Sequence, residues 1–478
     1  MVLMLSLAMV LGTVGRNFYI DPDGNDKADG LSLAHAWKSL EPVGRVSLLP
    51  GDRVVLTSGA TFTGNLVLSG KGTARQPIVV ESTGRAATII SRSKAAISLT
   101  QGGFEIRNLI LKGGAKTKLS GNDGVSIVPK NGESSSYLKL DQLDISGFGG
   151  AGIAILAEKS SSAKLSNVRI TNVKSHDNFG AGLITQDGGS YLGKEFNYSD
   201  FRVTDSDFSR NKDGSGIVLS GLDGALVEFC TARGNVGKGG GVGMWAWCAK
   251  NVTFRHCISS GTTTDGGDGG GFDLDGGTVD CVVEQCLTYD NAGPGYMHCD
   301  YPSAPRTQRN SIRNNIALDD GRKAKGDVIG FGLVSWGSGL YDCSVTGNVG
   351  LLDVKIAPKP TNGVMFMVYI RSSSDSVEAQ QVQGAVFRDN RVILGSVAAA
   401  FTSVALPKRN EGDISFARNL YSGKGAFVEG DASLDSAEWL KEHPEDAVVT
   451  LAGPSMNLRK LSARDLPSVF QSGWFKGK

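Results

Sequence analysis

The chain has 478 residues, 49 Lys plus Arg against 48 Asp plus Glu, and 65 glycines with only 14 prolines. A net charge of +1 with no long basic run excludes a nucleic-acid footprint and an electrostatic grip on anionic membranes. Glycine at about twice its usual share, without a collagen period, implies many tight turns and hence many short strands.

Residues 1–15, MVLMLSLAMVLGTVG, form an uncharged apolar run ending in small residues. The run is too short for a comfortable transmembrane helix and reads as a signal peptide cut near Gly15. A secreted or periplasmic mature chain without a membrane span is therefore expected. Residues 16–100 read as an N-terminal cap and the first coils of a stack. Asn17 opens a short strand, and Leu33 to Val46 carries Ala36, Leu40 and Val43 at helical spacing. Strands follow at Arg53–Thr57, Asn65–Leu68 and Pro77–Val80. The helix is expected to cover the first rung, because an open β edge invites pairing with another chain.

From about residue 100 a pattern recurs at an irregular period of 24 to 42 residues. It reads apolar-x-apolar-x-x-small, then an Asn, a loop, and Gly-apolar-x-apolar. Aligning the copies puts Val173, Ser206, Cys230, Cys257, Cys286, Asn315, Asn348, Asn390 and Asn419 at one position. Five residues on lie Asn178, Asn211, Asn235, Thr262, Asn291 and Asp320. Small or amide residues recurring in phase predict ladders, with stacked side chains bonding between strands about 4.8 Å apart. Residues 101–430 are thus expected to form the core of an all-β, right-handed parallel β-helix, each coil burying its apolar face on its neighbours. Seven cysteines is an odd number, and three of them share the ladder column, which points to packed thiols and not to a disulfide framework. After Leu420 the pattern stops, and residues 431–478 read as a C-terminal cap. Leu434 to Glu442 predicts a helix with Asp435 and Glu438 at capping-box spacing, and Leu458 to Phe475 is expected to cover the last coil.

The stretch Thr264 to Tyr301 gathers the most carboxylates, aromatics and tight turns. Asp273 and Asp275 alternate with Phe272 and Leu274, so both carboxylates share the outward face of a strand, with Cα atoms roughly 6.5–7 Å apart. Paired carboxyls at such spacing suit glycosidic cleavage, one as acid and one as nucleophile or base. The same aspartates, with Asp265 and Asp268, could instead hold Ca²⁺, since hard cations take clustered carboxylates. No cofactor is needed for the hydrolytic use. Trp245 and Trp247, one coil earlier, present flat indoles suited to stacking on sugar rings. His298 and Asp300 are added as candidate acid/base groups. Matching Gly295-Tyr296 to Gly271-Phe272 turns His298 inward, so its use requires that the strand end or a bulge reverse the parity. Tyr301, Arg306 and Trp336 are candidate substrate contacts, and Arg306, Arg309, Arg322 or Lys325 would supply the cation a lyase needs.

The segment YIDPDGNDKADGLSL…AWKSL…LLPGDRVVLTSGATFTGNLVLSGKGTARQPIVVESTG, the coils from 168 to 320 and GFDLDGG…CVVEQCLTYDNAGPGY resemble the pectate-lyase-like superfamily of exported right-handed parallel β-helix proteins. The resemblance implies polysaccharide lyases, glycoside hydrolases and uronan epimerases, and also phage tailspikes and adhesins. Asn291-Ala292-Gly293-Pro294-Gly295 stands where calcium-dependent pectate lyases carry acidic residues, and the polygalacturonase-type Gly-His-Gly and Arg-Ile-Lys motifs are absent. The expectation is an exported polysaccharide-degrading enzyme that hydrolyses its substrate. A pectate-lyase-like lyase or epimerase and a non-catalytic carbohydrate-binding or adhesive solenoid stay open as alternatives.

Overall fold

The computed structural model describes residues 15–187, 196–237, 240–302, 304–322, 328–352, 363–370, 382–395, 399–405 and 413–476. Residues 1–14 of the expected signal peptide, and Lys325, lie outside this set.

Short strands separated by bends pair in parallel with the equivalent strand one coil away. Three large parallel sheets result, of 17, 14 and 8 strands. The 14-stranded sheet runs from Leu66–Leu68 through Met244–Trp247, Phe272–Leu274 and Tyr296–Cys299 to Gly425–Glu429. Its last pair, Gly425–Glu429 with Ala432–Leu434, is antiparallel and ends the stack. Inward side chains form columns along the axis. Phe272, Tyr296, Phe331 and Phe366 follow one another at ring separations of 5.5, 5.1 and 5.5 Å. This is the parallel β-helix the repeats predict.

Both predicted ladders are present. The Oδ1 of Asn348 accepts the backbone N–H of Asn315 at 2.8 Å and its side-chain amide at 3.1 Å, and Asn390, Asn419 and Asp446 continue the series. The second column links Asn178 to Asn211 to Asn235, and Thr262 to Asn291 to Asp320. Ladder residues before Asp446 follow a left-handed one: Asn314, Asp389 and Arg418 have φ of 55°, 58° and 55°, and Asp177, Arg210 and Asp290 have 56°, 55° and 58°. A non-glycine residue in that region costs roughly 1–2 kcal/mol, which the hydrogen-bonded side chain beside it offsets. The coils that carry the two ladders bend by this two-residue device. All seven cysteines are free and buried, and the thiols of Cys230, Cys257 and Cys286 each lie against backbone carbonyls.

The ends differ from expectation. Residues 33–46 are not one helix: Leu33–His35 and Glu41–Arg45 form separate 3₁₀ turns. Between them Trp37 bridges to Ile20 and stacks on Phe18 at 5.3 Å. Pro42 and Gly44 disfavour a longer helix, and burying Trp37 fixes the extended link. At the other end Ser436–Glu442 is helical, and the Asp435/Glu438 capping box forms. Its Trp439, 1% exposed, stacks on Phe427 at 4.8 Å and closes the core. Residues 458–476 do not cover the last coil. They lie along the flank of the 8-stranded sheet, where Leu458, Leu466, Val469 and Phe470 pack on Ile258, Leu287, Ile316 and Val349. Arg459 pairs with Asp290 and Asp319, Arg464 pairs with Asp205, and Arg391 donates to the carbonyl of Trp474 at 2.8 Å. The physical reason is a strip of outward apolar residues on that sheet, which the tail covers.

Candidate active site

Phe272–Leu274 lies between Met244–Trp247 and Tyr296–Cys299, with Trp245 beside Asp273 and Asp273 beside Met297. One residue on, the backbone N–H of Asp275 bonds the carbonyl of Ala246 at 2.9 Å, which holds Asp275 level with Trp247 and Cys299. Period-2 alternation therefore gathers Trp245, Trp247, Asp273, Asp275, Met297 and Cys299 on one outer face. Two glycines permit this close stacking. A Cβ on Gly271 would meet the Gly295 carbonyl oxygen at 2.6 Å, and one on Gly276 would meet the Tyr301 ring at 2.5 Å.

Asp273 is outward but not solvated: it is 4% exposed, and its Oδ1 has no hydrogen-bond partner. Asp275 is half-buried, and its Oδ1 accepts the N–H of Gly276 at 2.6 Å. An oxygen of each carboxylate and the thiol of Cys299 lie within 4.8 Å of one another. Burial, then the charges of Asp275 and Asp268, push the Asp273 carboxyl well above the usual range. Burial pushes Asp275 up to about 7, against the pull of the Gly276 N–H, with the charges of Asp268 and Asp300 adding to the rise and the Cys299 thiol opposing it. Two close carboxyls in a poorly solvated site hold a proton near neutral pH, and the pair titrates as a unit.

Trp245 and Trp247 are half-buried and stacked, with ring centres 6.4 Å apart and planes 20° from parallel. The indole N–H of Trp245 donates to Ser215 Oγ at 2.9 Å, and Tyr301 meets Trp247 edge-on at 6.4 Å. Trp336 packs against Met297, Cys299 and Val334 on the next coils. The aromatic frame expected around the aspartates is thus assembled by Trp245, Trp247, Tyr301 and Trp336.

Four other expectations need correction. His298 keeps the parity of its strand and points into the solenoid, fully buried, with Nε2 3.2 Å from the Ser344 carbonyl. Burial holds its pKa down to about 4, so it is a neutral core histidine removed from the outer face. Asp300 is fully buried and accepts from Ser335 Oγ and from the backbone N–H groups of Trp336, Gly337 and Gly339. A carboxylate with four donors ties down a turn and has no lone pair directed at a substrate. Arg306 is exposed, and its guanidinium stacks over Tyr341 at 4.6 Å. Asp265 and Asp268 are exposed and do not converge with Asp273 and Asp275 as ligands; among the described residues the third ligating group is Cys299. Sequence reasoning missed Cys299, although the matching that turned His298 inward also places Cys299 beside Asp275.

Parallel coils stacked in this way, with three faces of in-register strands, define a right-handed parallel β-helix. The chain is a member of the right handed β-helix family, whose model matches residues 57–257 and 195–367, together more than half its length. No curated protein matches it. Among solved structures it is similar to the GH136 lacto-N-biosidase from Eubacterium ramulus, at 18% identity and a TM-score of 0.55, covering 74% of this chain and 68% of that one. The A-module of mannuronan C-5 epimerase AlgE6 from Azotobacter vinelandii aligns at 12% identity and TM-score 0.45, covering 85% and 92%. Pectate lyase Pel9A aligns at 15% identity and TM-score 0.34, covering 85% and 80%. These neighbours are carbohydrate-active enzymes, and at such identities the likeness is one of fold.

Proposed function

We propose that the protein is an exported glycoside hydrolase in which Asp273 holds the proton delivered to the leaving oxygen. Asp275, the more open of the two, serves as nucleophile or base, and the sugar lies across Trp245 and Trp247. The carrying observation is the carboxylate pair, Asp273 buried and Asp275 half-buried, with an oxygen of each within 4.8 Å of the other. Two carboxyls this close can share the work of glycosidic cleavage, one as proton donor and one as nucleophile or base. Hydrolysis is favoured over β-elimination or epimerisation by the charges around the pair. Those that weigh on Asp273 and Asp275 are the carboxylates of Asp268 and Asp300, which repel a uronate. The arginines considered for a lyase are occupied: Arg306 over Tyr341, Arg309 on Asp280 at 2.8 Å, and Arg322 on Asp290. Export is supported by the apolar run at residues 1–15, and a secreted product beginning near Arg16 would test it.

The test is a panel of neutral and uronic-acid glycans, a lacto-N-bioside among them, with wild type beside Asp273→Asn and Asp275→Asn. Reducing ends should appear without unsaturated product, and each variant should lose about 10³-fold or more in kcat. Unsaturated product would make the enzyme a lyase. Binding of a glycan without turnover, unchanged in the variants, would make it a carbohydrate-binding solenoid.

A further inference from the structure

We propose that Asp273, Asp275 and Cys299 form a binding site for a thiophilic divalent cation of the zinc class, and that its occupancy switches the hydrolase off. The switching half rests on the function proposed above, whereas the binding half does not.

Three observations carry it. First, the three ligand atoms already lie within 4.8 Å of one another, on adjacent coils of a rigid stack. Donors around a four-coordinate zinc stand about 3.3–3.8 Å apart, so small side-chain rotations complete the set. Second, Asp273 Oδ1 is buried without any partner, and its carboxylate stands on the same outer face as Asp275 and Cys299. A buried oxygen left unpaired is costly, and a cation there would satisfy it. Third, Cys299 is itself buried, 7% exposed, with its sulfur grouped with the two carboxylates and little open to solvent.

The donor set selects the ion. Thiolate sulfur with carboxylate oxygen suits zinc and its neighbours, whereas Ca²⁺ and Mg²⁺ take oxygen alone. Three protein ligands leave a fourth position open to water or a sugar hydroxyl. Ligation displaces the protons of Asp273 and of the Cys299 thiol to solvent, so the loaded protein has no acid to protonate a leaving group.

Cobalt(II) is the probe, because a thiolate–cobalt bond gives a charge-transfer absorption that oxygen ligands do not. One equivalent of Co²⁺ added to chelator-treated wild type should produce the band. Cys299→Ser should abolish it and weaken Zn²⁺ binding about 100-fold or more, while Cys248→Ser should keep both. Stoichiometric Zn²⁺ should inhibit glycan hydrolysis, and a chelator should restore it. Wild-type protein that hydrolyses glycan yet shows neither band nor inhibition would overturn the metal site and leave the hydrolase standing. A band in protein without hydrolysis in either metal state would overturn the hydrolase and keep the binding site. The cobalt spectrum needs only the wild-type chain, so a variant that fails to fold leaves the test intact.

Discussion

At the scale of single residues, the environment of Asp273 and Asp275 matters more than their spacing. A carboxyl that must donate a proton near neutral pH needs poor solvation and a like charge nearby, and both are present. Asp268 contributes from outside the pair: it is exposed on the glycine-rich loop, yet its charge raises both carboxyls. Removing it should let each carboxyl ionise at lower pH, the proton-bearing Asp273 included. The alkaline limb of the pH–rate profile of Asp268→Asn should therefore move to lower pH, with the maximum rate reduced less than in Asp275→Asn. A limb that stays put, or moves up, would show that Asp268 does not act through its charge.

At the scale of elements, the amide ladders set each coil's bend. Asn348→Ala would leave the Asn315 N–H and side-chain amide without their acceptor in a buried site. Each orphaned donor costs about 1–3 kcal/mol, so a loss of about 2–6 kcal/mol is expected, read as a lower urea midpoint. The ladders were legible in the chain because residues at a fixed point of each coil recur whatever the loop between them does. The left-handed corners were not, since Asn314, Asp389 and Arg418 share a backbone conformation and no side-chain chemistry. Asp273 and Asp275 were found by alternation, and the indoles likewise. His298 and Asp300 were drawn in by proximity in sequence, although unbroken parity already sent His298 into the core. Cys299 was overlooked because its importance depends on register across two coils. The first helix failed for another reason: apolar spacing at Ala36, Leu40 and Val43 also fits two turns flanking a buried Trp37.

At the scale of the whole molecule, the C-terminal segment covers the outer face of the 8-stranded sheet from Ile258 to Ile393. Its contacts span residues far apart in the chain, from Asp205 to Arg391. Ending the chain at residue 452 would bare Ile258, Leu287, Ile316, Leu318, Val349 and Leu351 together. A contiguous apolar patch of that kind drives association. The shortened protein should melt lower and self-associate in sedimentation, while dilute samples keep the face that carries Asp273 and Asp275, which lies on a different sheet. A monodisperse truncated chain with an unchanged melt would mean the tail contributes nothing to the fold.

The covering of that flank also sets an order in time. The strands it protects are complete once Leu352 has been made, but the residues that shield them begin at Leu458. At about 5–20 residues per second, synthesis leaves the strip bare for roughly 5–20 s. During that interval the half-made rod presents an adhesive side to every neighbouring chain. A partner that holds such chains apart, or passage through a membrane before folding, would spare the protein its most vulnerable moment.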